Sequence, residues 1–336
     1  MGLIIFPSFF FFSLPLSHLS LIFELKRFKI MIFVRPNFEI WEQNDSDLDS
    51  IYKQVEKVGR YCWYSMDKMT PDSAKPFCER LLKSKHFSPL EAATLYLHFK
   101  SNVINGVDMG DPMDRKLNFT LNHFSHCNHN WDTHETFVTT NLRVIMEMFP
   151  DELEQLVNIH GVSWDPRFER RITVHFTTDR GVSAEANRHR ANSPMESSTR
   201  YCNFSKGKFE NQITICVPEE INDQQLKDHE TSSVDFSENV ILPHDTSDWC
   251  DIDWWIWGNS CTELAYMKLL ECGWTPQRAR RILPLDLKTE LIHTATVSDW
   301  KHFFDLRVLG TTGAPHPDMY EVVKPLYDEF QRRGYL

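Results

Sequence analysis

No C-x-x-C pair occurs in the 336 residues, and the eight cysteines (62, 78, 127, 202, 216, 250, 261 and 272) lie scattered along the chain. That spacing excludes a dense disulfide framework and reads as reduced thiols of a cytosolic protein. Positive charge is also lacking overall. A formal net charge of −11 excludes the general basic footprint of a nucleic-acid binder. A closed zinc motif is missing too. His123, His126, His129 and His134 crowd one stretch with Cys127, but their spacing matches no such motif, and no metal is expected. Nor does any Cys–His arrangement suggest a thiol nucleophile. Ser193, Ser197 and Ser198 lack an evident general base and read as binding groups.

What is present suits a globular chain. Hydrophobic residues make up 41% and charged residues 25%, ordinary values for a packed domain. Aromatics reach 13%, with ten Trp, which serves a large core or flat-ring ligands alike. Residues 1–30 differ from the rest. From Leu3 to Phe23 there is no charge, and Lys26, Arg27 and Lys29 follow. A signal peptide carries its positive charge ahead of the apolar run, and Pro7, Pro15 and His18 interrupt a membrane span. We therefore expect 1–30 to be an upstream extension outside the fold, with a membrane anchor as the alternative and Met31 as an alternative start. Residues 31–336 are expected to form one domain, with insertions at about 101–169 and 218–258.

Periodicity then marks the elements. Met31–Ile40 alternates like a strand, and helical spacing covers 47–60 and 71–84, the second opened by Thr70-Pro71. In H-F-S-P-L-E (86–91), Ser88 and Glu91 form a capping-box pattern. A helix over 151–160 ends at Gly161, and a strand follows from Arg170 with Ile172, Val174 and Phe176 on one face. A short helix leads to Arg188, and a second strand spans 212–217. Helices are expected at 259–272 (stopping at Gly273), after Thr275-Pro276, from Ser298 (as N-cap) to Leu309, and at 317–334, bent at Pro325.

The densest chemistry lies in R-H-R-A-N-S-P-M-E-S-S-T-R-Y, residues 188–201. Three guanidinium groups, a histidine, three serines and a carboxylate fall within fourteen residues. Arg presents a rigid fork of donors suited to phosphate, and Pro194 breaks any helix arriving from Arg188. A solvated basic turn has the same composition. The order of residues separates the two readings.

R-H-R-x-x-S-x-x-E-x-S-x-R-Y resembles the signature of the flavin-dependent thymidylate synthases, and all eight fixed positions are filled: Arg188, His189, Arg190, Ser193, Glu196, Ser198, Arg200 and Tyr201. The likeness extends to 86–91, 172–216 and 259–330. It implies an α/β (α+β) fold, a twisted, mainly antiparallel sheet flanked by helices. It implies a homotetramer with sites shared between subunits, and the reductive methylation of dUMP to dTMP with FAD, NADPH and methylenetetrahydrofolate. By resemblance, Glu185, Arg188, Glu196, Ser197, Ser198, Thr199, Arg200, Arg280 and Arg307 would hold dUMP. His86, Ser88, Arg188, His189, Arg190, Glu196, Thr296, Val297, Ser298 and His302 would face FAD. His86 and Tyr201 would lie on the folate side. Arg307 would be catalytic: a permanent cation beside the uracil edge stabilises the charge that builds as C5 becomes a nucleophile. Several positions depart from the family pattern. Met195 replaces Asn, Glu185 replaces Gln, His302 replaces Asn, and the T-x-N-x-R turn reads Thr294-Ala295-Thr296-Val297-Ser298. These departures leave two alternatives, a non-catalytic flavin- or nucleotide-binding protein and an enzyme for another pyrimidine nucleotide.

Overall fold

A computed structural model of the chain describes residues 31–101, 103–104, 107–119, 123–209, 211–230 and 246–336. The expectation for 1–30 concerns residues outside these. In chain order the elements are β1 (Ile32–Val34), β2 (Asn37–Trp41), α1 (Leu48–Cys62), α2 (Ala74–Lys83), β3 (Thr94–Lys100), β4 (Val103–Ile104), β5 (Val107–Asp108), α3 (Pro112–Leu117), β6 (His126–Asn130), β7 (Glu135–Asn141), α4 (Leu142–Met148) and α5 (Leu153–His160). There follow β8 (Arg171–Thr178), α6 (Arg180–Ala186), β9 (Ser193–Glu196), β10 (Thr214–Cys216), α7 (Asp223–Glu230), α8 (Asp251–Glu271), α9 (Pro276–Ala279), β11 (Thr289–Thr296), α10 (Val297–Arg307) and α11 (Pro317–Arg332).

The sheet that positions the site has the order β2-β8-β11-β9 and is antiparallel throughout. Its strands form because apolar and hydrogen-bonding β-branched residues alternate, so each face is covered by helices. Ile172, Val174, Phe176, Leu291 and Ala295 point toward α10 and α11, packing on Trp300, Phe303, Phe304 and Phe330. Burying each such ring contributes about 1.5–3 kcal/mol. The opposite face meets α1, through Ile292, Trp41, Val58 and Cys62. Polar pairs line this face too: Gln54 donates to Thr173 Oγ1 at 3.0 Å, and Thr173 and Thr294 hydroxyls lie 2.8 Å apart. The outcome is the mixed helix and antiparallel-sheet architecture expected from the resemblance.

A second sheet, β3-β7-β6, lies within a core built by α1, α2, α4 and α5. Residues 126–157, inside the stretch expected as an insertion, thus supply two strands and two helices to that core. β1 pairs in parallel with β10, and α8 covers this pair. Among the described residues no helix is long and apolar enough to cross a membrane.

Several expectations are corrected. Ser88 caps nothing. Ser88–Ala92 is one 3-10 turn with Phe87 at its start and no side-chain cap, and Glu91 pairs with Arg143 instead. The first helix after Thr70 begins at Ala74, because Ser73 Oγ engages the Thr70 backbone as a turn. The strand expected over 31–40 is two strands in different sheets, interrupted at Pro36, which offers no amide hydrogen. α8 begins at Asp251, inside the expected 218–258 insertion; its aromatic first turns carry no clean amphipathic period. Its end is as expected. Gly273 sits at φ +85°, and the amides of Gly273 and Trp274 close back on Leu270 and Leu269. Finally, Thr296, not Ser298, caps α10: its hydroxyl accepts from Asp299 N at 3.1 Å.

Candidate active site

The 188–201 segment leaves α6, turns through Arg188–Asn192 and enters β9, the edge strand. Pro194 is tolerated there because an edge strand has one side free of ladder bonds. Asn187, the C-cap of α6, ties this turn down. Its Nδ2 donates to Glu196 Oε2 at 3.2 Å, and its Oδ1 accepts from His293 Nε2 at 3.3 Å. His293, fully buried on β11, then takes Asn192 Nδ2 at its Nδ1, 3.1 Å away. With Nε2 as donor and Nδ1 as acceptor, the ring is neutral. Burial pushes its pKa down to about 3, with His189 adding to the shift.

Glu196 is the second anchor. Its Oε1 accepts from Arg180 Nη1 at 2.6 Å, Ser183 Oγ at 2.8 Å and Thr289 Oγ1 at 3.1 Å. Together with Asn187, four donors of its own chain hold this carboxylate, so it orients Arg180 and the signature backbone. Ser197 is buried beside it: its Oγ lies 2.9 Å from Thr289 Oγ1 and accepts from Glu290 N at 3.2 Å. Ser198 N reaches Cys62 O at 3.2 Å, which fixes the turn against the end of α1. Beyond it, Arg280 Nη1 donates to Thr199 Oγ1 at 3.0 Å, and Arg200 lies 5.5 Å from the ring of Tyr201, which is 69% exposed.

Arg307, in the last turn of α10, lies against α6 and the signature turn. Its Nη1 pairs with the Glu185 carboxylate, its Nη2 donates to Glu185 O at 3.3 Å, and its Nε donates to His189 Nε2 at 2.9 Å. His189 is therefore an acceptor at Nε2 and uncharged. Burial first, then the Arg307 and His302 charges, push its pKa down to about 4. Its ring packs 4.5 Å from Phe303 and 6.1 Å from the exposed His302. Arg188 and Arg190 are exposed, and among the described residues their guanidinium groups make no hydrogen bond or ion pair.

The other expected residues lie away from Arg307, toward the end of the signature strand where Ser193 pairs with Thr294. Thr296, Val297 and Ser298 lie at the opposite end of α10 from Arg307, about 16 Å away at 1.5 Å per residue. Val297 N is bound to Arg170 O and Ser298 N to Glu169 Oε1. Along β11, the same residues are about 24 Å from the end that meets Ser197. His86 is exposed beside Ser84, with Oγ and Nδ1 3.0 Å apart. The 86–91 segment reaches the signature through Arg171, which donates to Glu91 O at 3.0 Å and to Ser193 Oγ at 3.4 Å. Burial pulls the Arg171 pKa down to about 10.

Sequence reading missed Arg180, Ser183, Asn187, Thr289 and His293, the groups that hold the signature in place. Elsewhere, His229, Cys250 and Asp253 gather ligand-type atoms within 4.8 Å of one another. Helix capping accounts for the Cys250–Asp253 contact, where Asp253 accepts from Cys250 N at 2.9 Å, and Asp253 also meets His229 Nδ1 of α7 at 2.8 Å.

Residues 164–333 match the family model described as thymidylate synthase complementing protein. The chain is 28% identical over 162 residues to a probable flavin-dependent thymidylate synthase of Paramecium bursaria Chlorella virus 1, covering 46% of this chain and 65% of that protein. A flavin-dependent thymidylate synthase of Synechocystis sp. (strain ATCC 27184 / PCC 6803 / Kazusa) is 27% identical over 161 residues, with the same two shares of 46% and 65%. Each match thus takes in slightly less than two thirds of the relative. Among solved structures, the UMP/dUMP methylase PolB from Streptomyces cacaoi bound with 5-Br dUMP aligns with TM-score 0.38 and 14% identity, over 90% of this chain and 93% of that one.

Proposed function

The chain belongs to the thymidylate synthase complementing protein family, and from that membership we propose that it is a flavin-dependent thymidylate synthase. In this reading it converts dUMP to dTMP with FAD, taking reducing equivalents from NADPH and the carbon from methylenetetrahydrofolate. The observation that carries the reading is the placement of the signature turn against Arg307, with Arg188 and Arg190 left exposed as cations that find no acceptor among the described residues. The residues fit the cofactor. Unengaged guanidinium groups beside an uncharged, aromatic-packed His189 suit the diphosphate and flat ring of a flavin dinucleotide. Arg188, His189 and Arg190 would hold it, and it would supply the hydride and one-carbon redox chemistry.

The chain's own residues bind and polarise. Arg200, with the Ser198 and Thr199 hydroxyls and Arg280, forms a cationic turn for the nucleotide phosphate, since Arg280 already reaches Thr199. Arg307 presents a permanent positive charge to the uracil edge, where negative charge grows as C5 attacks. His189, held neutral as an acceptor on Arg307 Nε, fixes the plane of that guanidinium without adding charge. Glu196 holds Arg180 and the turn backbone in register.

Thr296–Ser298 and Arg307 stand at opposite ends of α10, which favours sites completed by a second copy. A homotetramer of shared sites is the assembly we infer, in the cytoplasm that the cysteine pattern suits.

The deciding experiment is a visible spectrum of the purified protein, then of the same sample with NADPH and dUMP without oxygen. A bound flavin that bleaches with NADPH and shifts with dUMP is expected. A colourless protein that cannot be loaded with FAD overturns the reading.

A further inference from the structure

Arg307 is not an open cation in this fold. Of its five N–H groups, three are engaged: one by the Glu185 carboxylate, one by the Glu185 carbonyl and one by His189. Glu185 is committed less tightly. It sits in the last turn of α6 with its side chain 30% exposed, against 16% for Arg307. Among the described residues only one of its carboxylate oxygens has a protein donor, and that donor is Arg307. An anion arriving at Arg307 therefore meets a guanidinium whose charge is already balanced, next to a carboxylate able to swing outward.

We propose that Glu185 is a built-in counter-ion of Arg307, which occupies the guanidinium until an anionic pyrimidine nucleotide displaces it, and so sets how tightly the site takes its substrate. The inference rests on the nucleotide reading above. Two charges act together. The carboxylate cancels the attraction Arg307 exerts on the ring edge or phosphate, and it repels that anion directly over a distance of a few ångströms in a half-buried setting. Displacement restores the cation at the moment the nucleotide is seated.

Glu185→Gln isolates the charge. The amide oxygen can still accept from Arg307 Nη1, so the turn keeps its shape. With FAD-loaded protein at low salt, this variant is expected to bind dUMP about tenfold tighter than the wild type, with a steeper loss of affinity as salt is added. In an Arg307→Gln background the same change is expected to gain nothing. Equal or weaker binding by Glu185→Gln overturns the proposal, and so does a gain that persists without Arg307. If dUMP binds neither form, the nucleotide reading falls, and the pairing is decided by phenylglyoxal modification mapped by mass spectrometry. Faster modification of Arg307 in Glu185→Gln supports the counter-ion, whereas equal rates overturn it.

Discussion

At the scale of single residues, the site depends on groups that carry no charge despite a strongly charged setting. His189 and His293 are both held neutral, with pKa values pushed down to about 4 and about 3. An unfolded histidine takes its proton near 6.5, so between that pH and about 4 the unfolded chain binds more protons than the folded one. Stability contributed by these rings is present above pH 6.5 and is lost as pH falls toward 4, by about 3 kcal/mol for His189 alone. Urea midpoints measured from pH 7 to pH 4 should fall more steeply for the wild type than for His189→Asn. Parallel curves would show that His189 titrates normally. Arg307→Ala is expected to lower kcat for dTMP formation by about 10²–10³-fold, the size seen when one preorganised stabiliser of developing charge is removed. Unchanged turnover in a steady-state assay would remove Arg307 from the chemistry.

The same residues show how far the sequence could be read. Arg188, His189, Arg190 and Arg307 stand out in the sequence because the order of residues in short segments resembles the family pattern. Asn187 does not, though it directly precedes the signature, because its partner His293 is 106 positions away. Arg180 and Ser183 look like ordinary polar positions of a short helix until Glu196, on another element, faces them. Long-range polar pairing leaves no local pattern, whereas apolar alternation does, and so Ile172, Val174 and Phe176 were assigned one face correctly.

At the scale of elements, the start of α10 shows how close a local reading can come and still choose the wrong atom. Ser298 and Asp299 look like a cap and first turn, but the helix begins two residues earlier, at Val297, and Thr296 does the capping. Thr296 Oγ1 also donates to Asp299 Oδ2 at 2.6 Å, so the two side chains close on each other. Thr296→Ala should cost about 1 kcal/mol in chemical denaturation and Thr296→Ser much less. Ser298→Ala, by contrast, should be near neutral. A larger loss at Ser298 than at Thr296 would reverse the assignment.

At the scale of the whole molecule, Arg307 and the α10 start stand at opposite ends of one helix, whereas the 86–91 segment and the α10 start both approach the signature at Ser193. If copies share sites, two defective chains should rescue one another. Co-expressed Arg307→Ala and Ser298→Arg chains are expected to show dTMP-forming activity that neither has alone, with sedimentation confirming a mixed oligomer. Absence of rescue in a mixed oligomer would mean that each chain carries its own complete site. Residues outside the matched 164–333 are integrated with the rest: β6 pairs with β7 and β7 with β3, over a core that α1 shares with the central sheet.

One junction has a consequence for how this chain can vary. Thr296 is both the last residue of β11 and the cap of α10, so no linker separates strand from helix. A single residue inserted or deleted here would exchange the two faces of the strand beyond it and turn the helix by about 100°. Arg307 would then leave His189, and Trp300 would leave the core. Across residues 289–307 the number of residues is therefore fixed as firmly as the buried side chains themselves.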